Sequence, residues 1–124
     1  MQMLNSTHIK TTDLRYQRAY GLSVEALHTL CCATGSLKER LLKIDLEFFM
    51  LNAVQLPDSI ELRSTFQNLR DLVTSKEARN PLEGRIKASL DQLHHTKLQA
   101  IAKLVWKFHK EFLAFLLRDA QSTE

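Results

Sequence analysis

"LHTLCCATGSLKERLLKI", residues 27–44, holds the choice between three architectures. Its adjacent cysteines suit a redox or metal site, its lone glycine before Ser-Leu-Lys suits a phosphate-gripping turn, and the same glycine could separate a pair of helices. The apolar residues on either side decide it. Tyr20, Val24, Leu27 and Cys31 recur every three or four positions before the glycine, and Leu37, Leu41, Ile44, Phe48 and Leu51 do so after it. That spacing keeps side chains on one face of a helix. Gly35 then stands just past one helix, where a left-handed residue closes many helices. Ser36, with Glu39 three residues on, forms the Ser-x-x-Glu box that opens the next. A phosphate loop needs a second glycine and a strand before it, and both are missing here. The stretch is a helix–helix corner.

The same period runs outward from this corner. It predicts a first helix over 22–34 and a second over 37–53. Leu62, Phe66, Leu69 and Val73 predict a third over 58–75, with Asp58 as N-cap and Glu61 at the box position, or with Pro57 as the first helical residue. Residues 75–84 read as a loop, since Asn80 precedes Pro81 and is disfavoured in helical geometry. Ile86, Leu90 and Leu93 predict a helix over 83–94. Leu98, Ile101, Val105, Phe108, Phe112 and Phe115 predict another over 96–120, with Thr96 and Gln99 as its capping box. A break or bend at 94–96 separates these two. With three glycines and two prolines there is little turn chemistry for strands. The expected fold is all-α, a single-domain bundle of four to five helices over 13–120, between a flexible N-terminal segment, 1–12, and a flexible C-terminal tail, 121–124.

The composition, 44% hydrophobic and 25% charged, is that of an ordinary globular chain rather than a disordered one. The net charge of +3 is spread along the chain, whereas a dedicated nucleic-acid binder gathers its charge on one face or arm. Lys and Arg interrupt every apolar run before the roughly 18 residues a bilayer span needs. The first residues, MQMLNSTHIKTTD, lack the basic start and apolar core of a secretory signal. Two cysteines without such a signal indicate free thiols and a cytoplasmic location.

Several residue groups invite chemistry, and each has a plainer reading. Cys31 shares the apolar stripe with Leu27, so core filler is its default; Cys32 lies nearer the edge, with His28 on the same helix flank as a candidate base. Glu25 and His28 have the Glu-x-x-His spacing of carboxylate-bridged metal bundles, with Asp91 and His94 a looser echo and Glu47 a further carboxylate. Two of the four elements such a site needs are expected by chance, so no metal and no cofactor is assigned. Helical ribonucleases of the toxin type often carry an Arg with a His four to six residues on. No arginine here has one. Lys103, Lys107 and Lys110 line one side of the last helix beside Trp106 and His109, which fits nucleic acid or an acidic partner. The plainer reading is a solvated face with Lys107 paired to Glu111.

The segments "GSLKERL" at 35–41, "LP" at 56–57 followed by Phe66, Leu69 and Leu72, "EGRIKASLDQL" at 83–93 and "IAKLV" at 101–105 resemble a family of short all-helical bacterial proteins, of the kind found among integron gene-cassette products. The resemblance covers about 30–117, implies an all-helical fold and brings no functional residue with it. Hydrophobic excess then points to association. Leu42, Leu46, Phe49 and Met50 on the second helix, with Leu104, Trp106, Leu113 and Leu117 on the last, exceed what one seam needs. The expected function is a non-enzymatic interaction or regulatory module acting as a homodimer, with Leu42, Leu46, Phe49 and Met50 at the interface. The alternatives are a nucleic-acid accessory protein, using the lysine side of the last helix and an arm of Lys10, Arg15 and Arg18, and an enzyme or metal protein using Glu25, His28 and Cys32.

Overall fold

The computed structural model describes residues 6–81 and 83–122, with side chains for 16–81 and 83–120. Among them the chain is all-α and contains no strand. The elements are α1 (Ser6–Cys32), α2 (Leu37–Leu42), α3 (Leu46–Phe49), a 3-10 turn at Ala53–Gln55, α4 (Ile60–Val73), α5 (Arg85–Gln92) and α6 (His95–Ser122). The five expected helices are present, the second of them in two pieces.

α1 and α6 form the frame. Tyr16 meets Phe112 and Phe115, and Tyr20 meets His109 and Phe112, so contacts that advance along α1 retreat along α6 and the two run antiparallel. α4 packs along α6 on another side, where Phe66 lies 5.4 Å from Phe108 between ring centroids. Phe48 from α3 completes the cluster, edge-on to Phe66 and Phe108. Rings that meet edge to face add to the burial that makes this the centre of the core.

The corner that opened the sequence holds as expected. Gly35 has φ +106°, and the Ser36–Glu39 box is closed in both directions: the Ser36 N–H donates to Glu39 Oε1 at 2.7 Å and the Glu39 N–H to Ser36 Oγ at 3.2 Å. The break before α6 is also there. Leu93 leaves helical geometry at ψ 145° and α6 starts at His95, one residue before the expected Thr96.

Four expectations are corrected. α1 begins at Ser6 rather than near residue 22, and α6 runs to Ser122, so helix extends into both segments set aside as flexible. Those segments contain no glycine or proline to stop a helix, and propagation from an anchored helix is cheap once nucleation is done. The buried stripe of α1 is Tyr16, Ala19, Leu22, Ser23, Ala26 and Leu30, one step round from Tyr20, Val24, Leu27 and Cys31. This stripe includes three small residues, Ala19, Ser23 and Ala26, all buried. Cys31 is therefore exposed, as is Cys32.

The expected straight helix over 37–53 breaks at 43–45. A straight helix would spread Leu41, Ile44, Phe48, Phe49 and Leu51 over roughly half its circumference. Broken, with Asp45 Oδ1 accepting the Glu47 N–H at 2.9 Å to start α3, it buries all five. Finally, Ser59 caps α4, its Oγ accepting from the Leu62 N–H, in place of Asp58 or Pro57. Arg63 explains the shift: it donates to the carbonyls of Ala53, Leu56 and Pro57, folding that turn back over the helix start.

Candidate interaction face

α1 meets α6 through Tyr16, Tyr20 and Ser23, and Tyr20 lies at the edge of that contact, half-buried. Tyr20 stacks on His109 of α6, with centroids 5.5 Å apart and planes at 22°. His109 also stacks on Trp106, at 6.2 Å and 24°, and the Lys110 Nζ lies 5.2 Å from the centre of the Trp106 ring. One turn on from Tyr20 is Val24; one and two turns on from His109 are Leu113 and Leu117, neighbours by the four-residue step of a helix. Val24, Trp106, Leu113 and Leu117 are exposed at 41%, 48%, 38% and 56%. The result is an apolar row across α1 and α6 that no other helix of the described chain covers.

Two buried polar groups sit beneath the row. Ser23, fully buried, donates its hydroxyl to the Tyr20 carbonyl at 2.8 Å and lies 3.3 Å from His109 Nδ1. Burial lowers the pKa of His109, because desolvation penalises the imidazolium, and no charged neighbour counts among the causes. The sequence flagged His109 only as a companion of the lysines. Ser23 it did not flag, since a serine in an apolar pattern carries no signal until its partner across the interface is known.

The other expected site residues are scattered. Phe49 is fully buried against Phe48 within its own chain and is not available to a second copy; Leu42 is half-buried, while Leu46 and Met50 are exposed. Glu25 and His28 are exposed, and the described residues contain no group of three His, Cys, Asp or Glu placed to hold a metal. Asp91 is taken up by Lys87 and Arg79, and Glu47 by Arg18, which lowers the Glu47 pKa through the Arg18 hydrogen bond. Lys103, Lys107 and Lys110 are exposed. The expected Lys107–Glu111 pair is not formed, and Glu111 Oε1 is buried without a hydrogen-bond partner. Lys10 and Arg15 lie outside the residues whose side chains are described.

Two shallow clefts occur elsewhere. One is lined by Gln17, Arg18, Gly21, Leu22 and Glu25, the other by Arg79, Asn80, Glu83 and Lys87. In the second, Arg79 bonds Glu83 through its side chain and its backbone N–H, holding the Glu83 pKa down to about 2. These charges are spent on each other and on closing the 75–84 loop. No family model, curated protein or solved structure matches the chain. No helix of the described residues is long and apolar enough to cross a membrane.

Proposed function

We propose that this chain is a non-enzymatic protein-interaction module of the cytoplasm that works as a homodimer, with the open face of α1 and α6 as its contact surface. The observation that carries this is the row of Val24, Trp106, Leu113 and Leu117, apolar, partly exposed and continuous through the Tyr20–His109–Trp106 stack. Its Trp and Tyr are the residue types that dominate protein contacts. Two exposed thiols, Cys31 and Cys32, suit a reducing compartment. Completing the burial of four half-covered side chains on each of two copies is worth on the order of 8 kcal/mol. Association offsets much or all of this, at a cost of about 4 kcal/mol or more, so the dimer is weak and populated only at high concentration.

Sedimentation velocity over a dilution series tests it. The expected wild-type mass is twice the 14.3 kDa of the chain at high concentration and falls toward 14.3 kDa on dilution. Trp106→Glu and Leu113→Glu, both at exposed sites, are expected to stay at 14.3 kDa with unchanged helicity. A wild-type monomer at every concentration refutes the reading.

A second reading, binding of single-stranded nucleic acid, has one observation in its favour: Lys103, Lys107 and Lys110 make no ion pair among the described residues and flank Trp106. Against it, the indole is already engaged by His109 and Lys110, leaving less of its face for a base. Absence of binding to random single-stranded DNA or RNA at low salt removes this alternative.

A further inference from the structure

His109 places an imidazole at the centre of the α1–α6 face, and its surroundings set its protonation state. The Ser23 hydroxyl spends its hydrogen on the Tyr20 carbonyl, so the Ser23 oxygen is left to accept from Nδ1–H of His109. That fixes the neutral ring with its proton on Nδ1 and leaves Nε2 as the atom that takes a second proton. The aromatic planes of Tyr20 and Trp106 bring no hydrogen-bond acceptor to their stacking contacts with the ring.

No charge nearby compensates a second proton. From α1 the groups facing His109 are Tyr20 and Ser23; on α6, Lys110 is held over Trp106, and Glu111 stands about 200° round the helix from the ring. α4 meets α6 through Phe108, about 100° round the helix from His109. The charged residues of α2 are engaged elsewhere: Lys38 on the Asp91 carbonyl, Arg40 on the Leu30 carbonyl and Glu39 in the capping box, two turns along α1 from Ser23. α3 offers Glu47, which is held by Arg18. No described carboxylate faces the ring.

We propose that His109 makes self-association through this face proton-sensitive: neutral, the ring is part of an apolar stack that a second copy can bury, and as imidazolium it places an unpaired cation at the centre of the contact. The inference rests on the self-association reading. Around a two-fold axis the cost appears twice, once per copy, and Lys103 and Lys110 add the same sign at the rim. Burial already holds the ring below the usual histidine value near 6.5, and covering it with a second copy holds it lower still. The dimer binds fewer protons than its monomers. It is therefore favoured above the monomer's pKa and lost as pH falls through it. With one linked proton per copy, the dimer Kd rises by about a hundredfold per pH unit in that window.

The experiment is sedimentation velocity of the full chain at pH 7.5, 6.5 and 5.5, for wild type, His109→Gln and His109→Phe. Phe keeps the stacking and removes the proton, so it covers the case in which Gln disturbs the packing. A second readout is the fluorescence of Trp106, the single tryptophan of the chain, in dilute protein over the same range, since an imidazolium stacked on an indole quenches it. The expected result is a wild-type dimer at pH 7.5 that dissociates by pH 5.5, with variants indifferent to pH. A fluorescence step with its midpoint below about 6.5, present in wild type alone, accompanies it. A wild-type dimer that persists at all three values overturns the inference and leaves the self-association reading standing. A wild-type monomer at pH 7.5 overturns that reading and this inference with it. A flat fluorescence titration, or pH dependence that survives in both variants, overturns the assignment to His109.

Discussion

Replacing Gly35 by alanine tests the corner on which the fold turns. At φ +106° an L-residue is strained, by about 1–2 kcal/mol on the scale of left-handed conformations. The new Cβ would also stand 2.7 Å from Glu39 Oε1 and 3.1 Å from Glu39 Cβ. The carboxylate end could swing away alone, but Oε1 is the atom that accepts the Ser36 N–H, and the Cβ is fixed by the helix. Relief of the clash therefore opens the capping box. Alanine gains about 0.4–1 kcal/mol by restricting the unfolded chain, which offsets some of this. The net expectation for Gly35→Ala is a loss of roughly 2 kcal/mol, read as a lower urea midpoint and a Tm lower by roughly 6–10 °C. In a Glu39→Ala background the clash is gone, so the same substitution should cost measurably less, the remainder being backbone strain. A Gly35→Ala loss under about 0.5 kcal/mol, or an equal loss in both backgrounds, refutes the account of this corner.

Phe108→Ala and Trp106→Ala separate core from surface two residues apart on α6. The first empties a fully buried site between Phe48, Phe66 and Phe112 and should lose about 3–5 kcal/mol by urea unfolding. The second, at a half-exposed ring, should lose less than about 1.5 kcal/mol. Comparable losses would place Trp106 in the core. The Glu83 carboxyl, held near pKa 2 by Arg79, contributes stability that is complete above its unfolded value near 4.5 and disappears as pH falls toward 2. Glu83→Gln should therefore be less stable than wild type at pH 7 and show a flatter decline between pH 4.5 and 2, measured as urea midpoints. Parallel pH profiles would show that the pair does not hold the loop.

What was legible in the sequence divides along physical lines. Caps and breaks act within three or four residues, so Gly35, Ser36, Glu39 and the step before α6 could be read directly. The phase of α1 could not. Tyr20, Val24 and Leu27 are larger than Ala19, Ser23 and Ala26, yet the small set is buried and Val24 is exposed. Period alone finds a helix, and which of two adjacent stripes faces inward depends on the partner helix. Cys31 belongs to the stripe that faces outward, so it is exposed for the same reason. Phe49 failed for a related reason: whether a helix that is apolar around much of its circumference stays straight depends on what surrounds it. Here Asp45 broke it, so that both faces could enter one core.

The outward stripe of α1 is also what leads to the candidate face. Val24 is regularly spaced and apolar yet exposed, beside Tyr20, which reaches across to His109 and Phe112; most of the charges, by contrast, are engaged. Arg40 binds the carbonyl of Leu30, Arg70 that of Leu51, Arg85 that of Thr74, Lys43 that of Thr34 and Lys38 that of Asp91. Several of these carbonyls lie in or just past the last turn of a helix, where orphan acceptors and the negative end of the helix dipole draw cations. Much of the chain's positive charge is thereby spent on turning its corners, which is why a net charge of +3 yields no broad basic surface. Lys103, Lys107 and Lys110 are left over beside an aromatic row that is left over too. Leu46, Met50, Val54 and Ile60 are exposed as well, but on three separate elements, whereas Val24, Trp106, Leu113 and Leu117 share the α1–α6 flank with an aromatic stack, and self-association is the use for that flank that calls for no molecule beyond the chain itself.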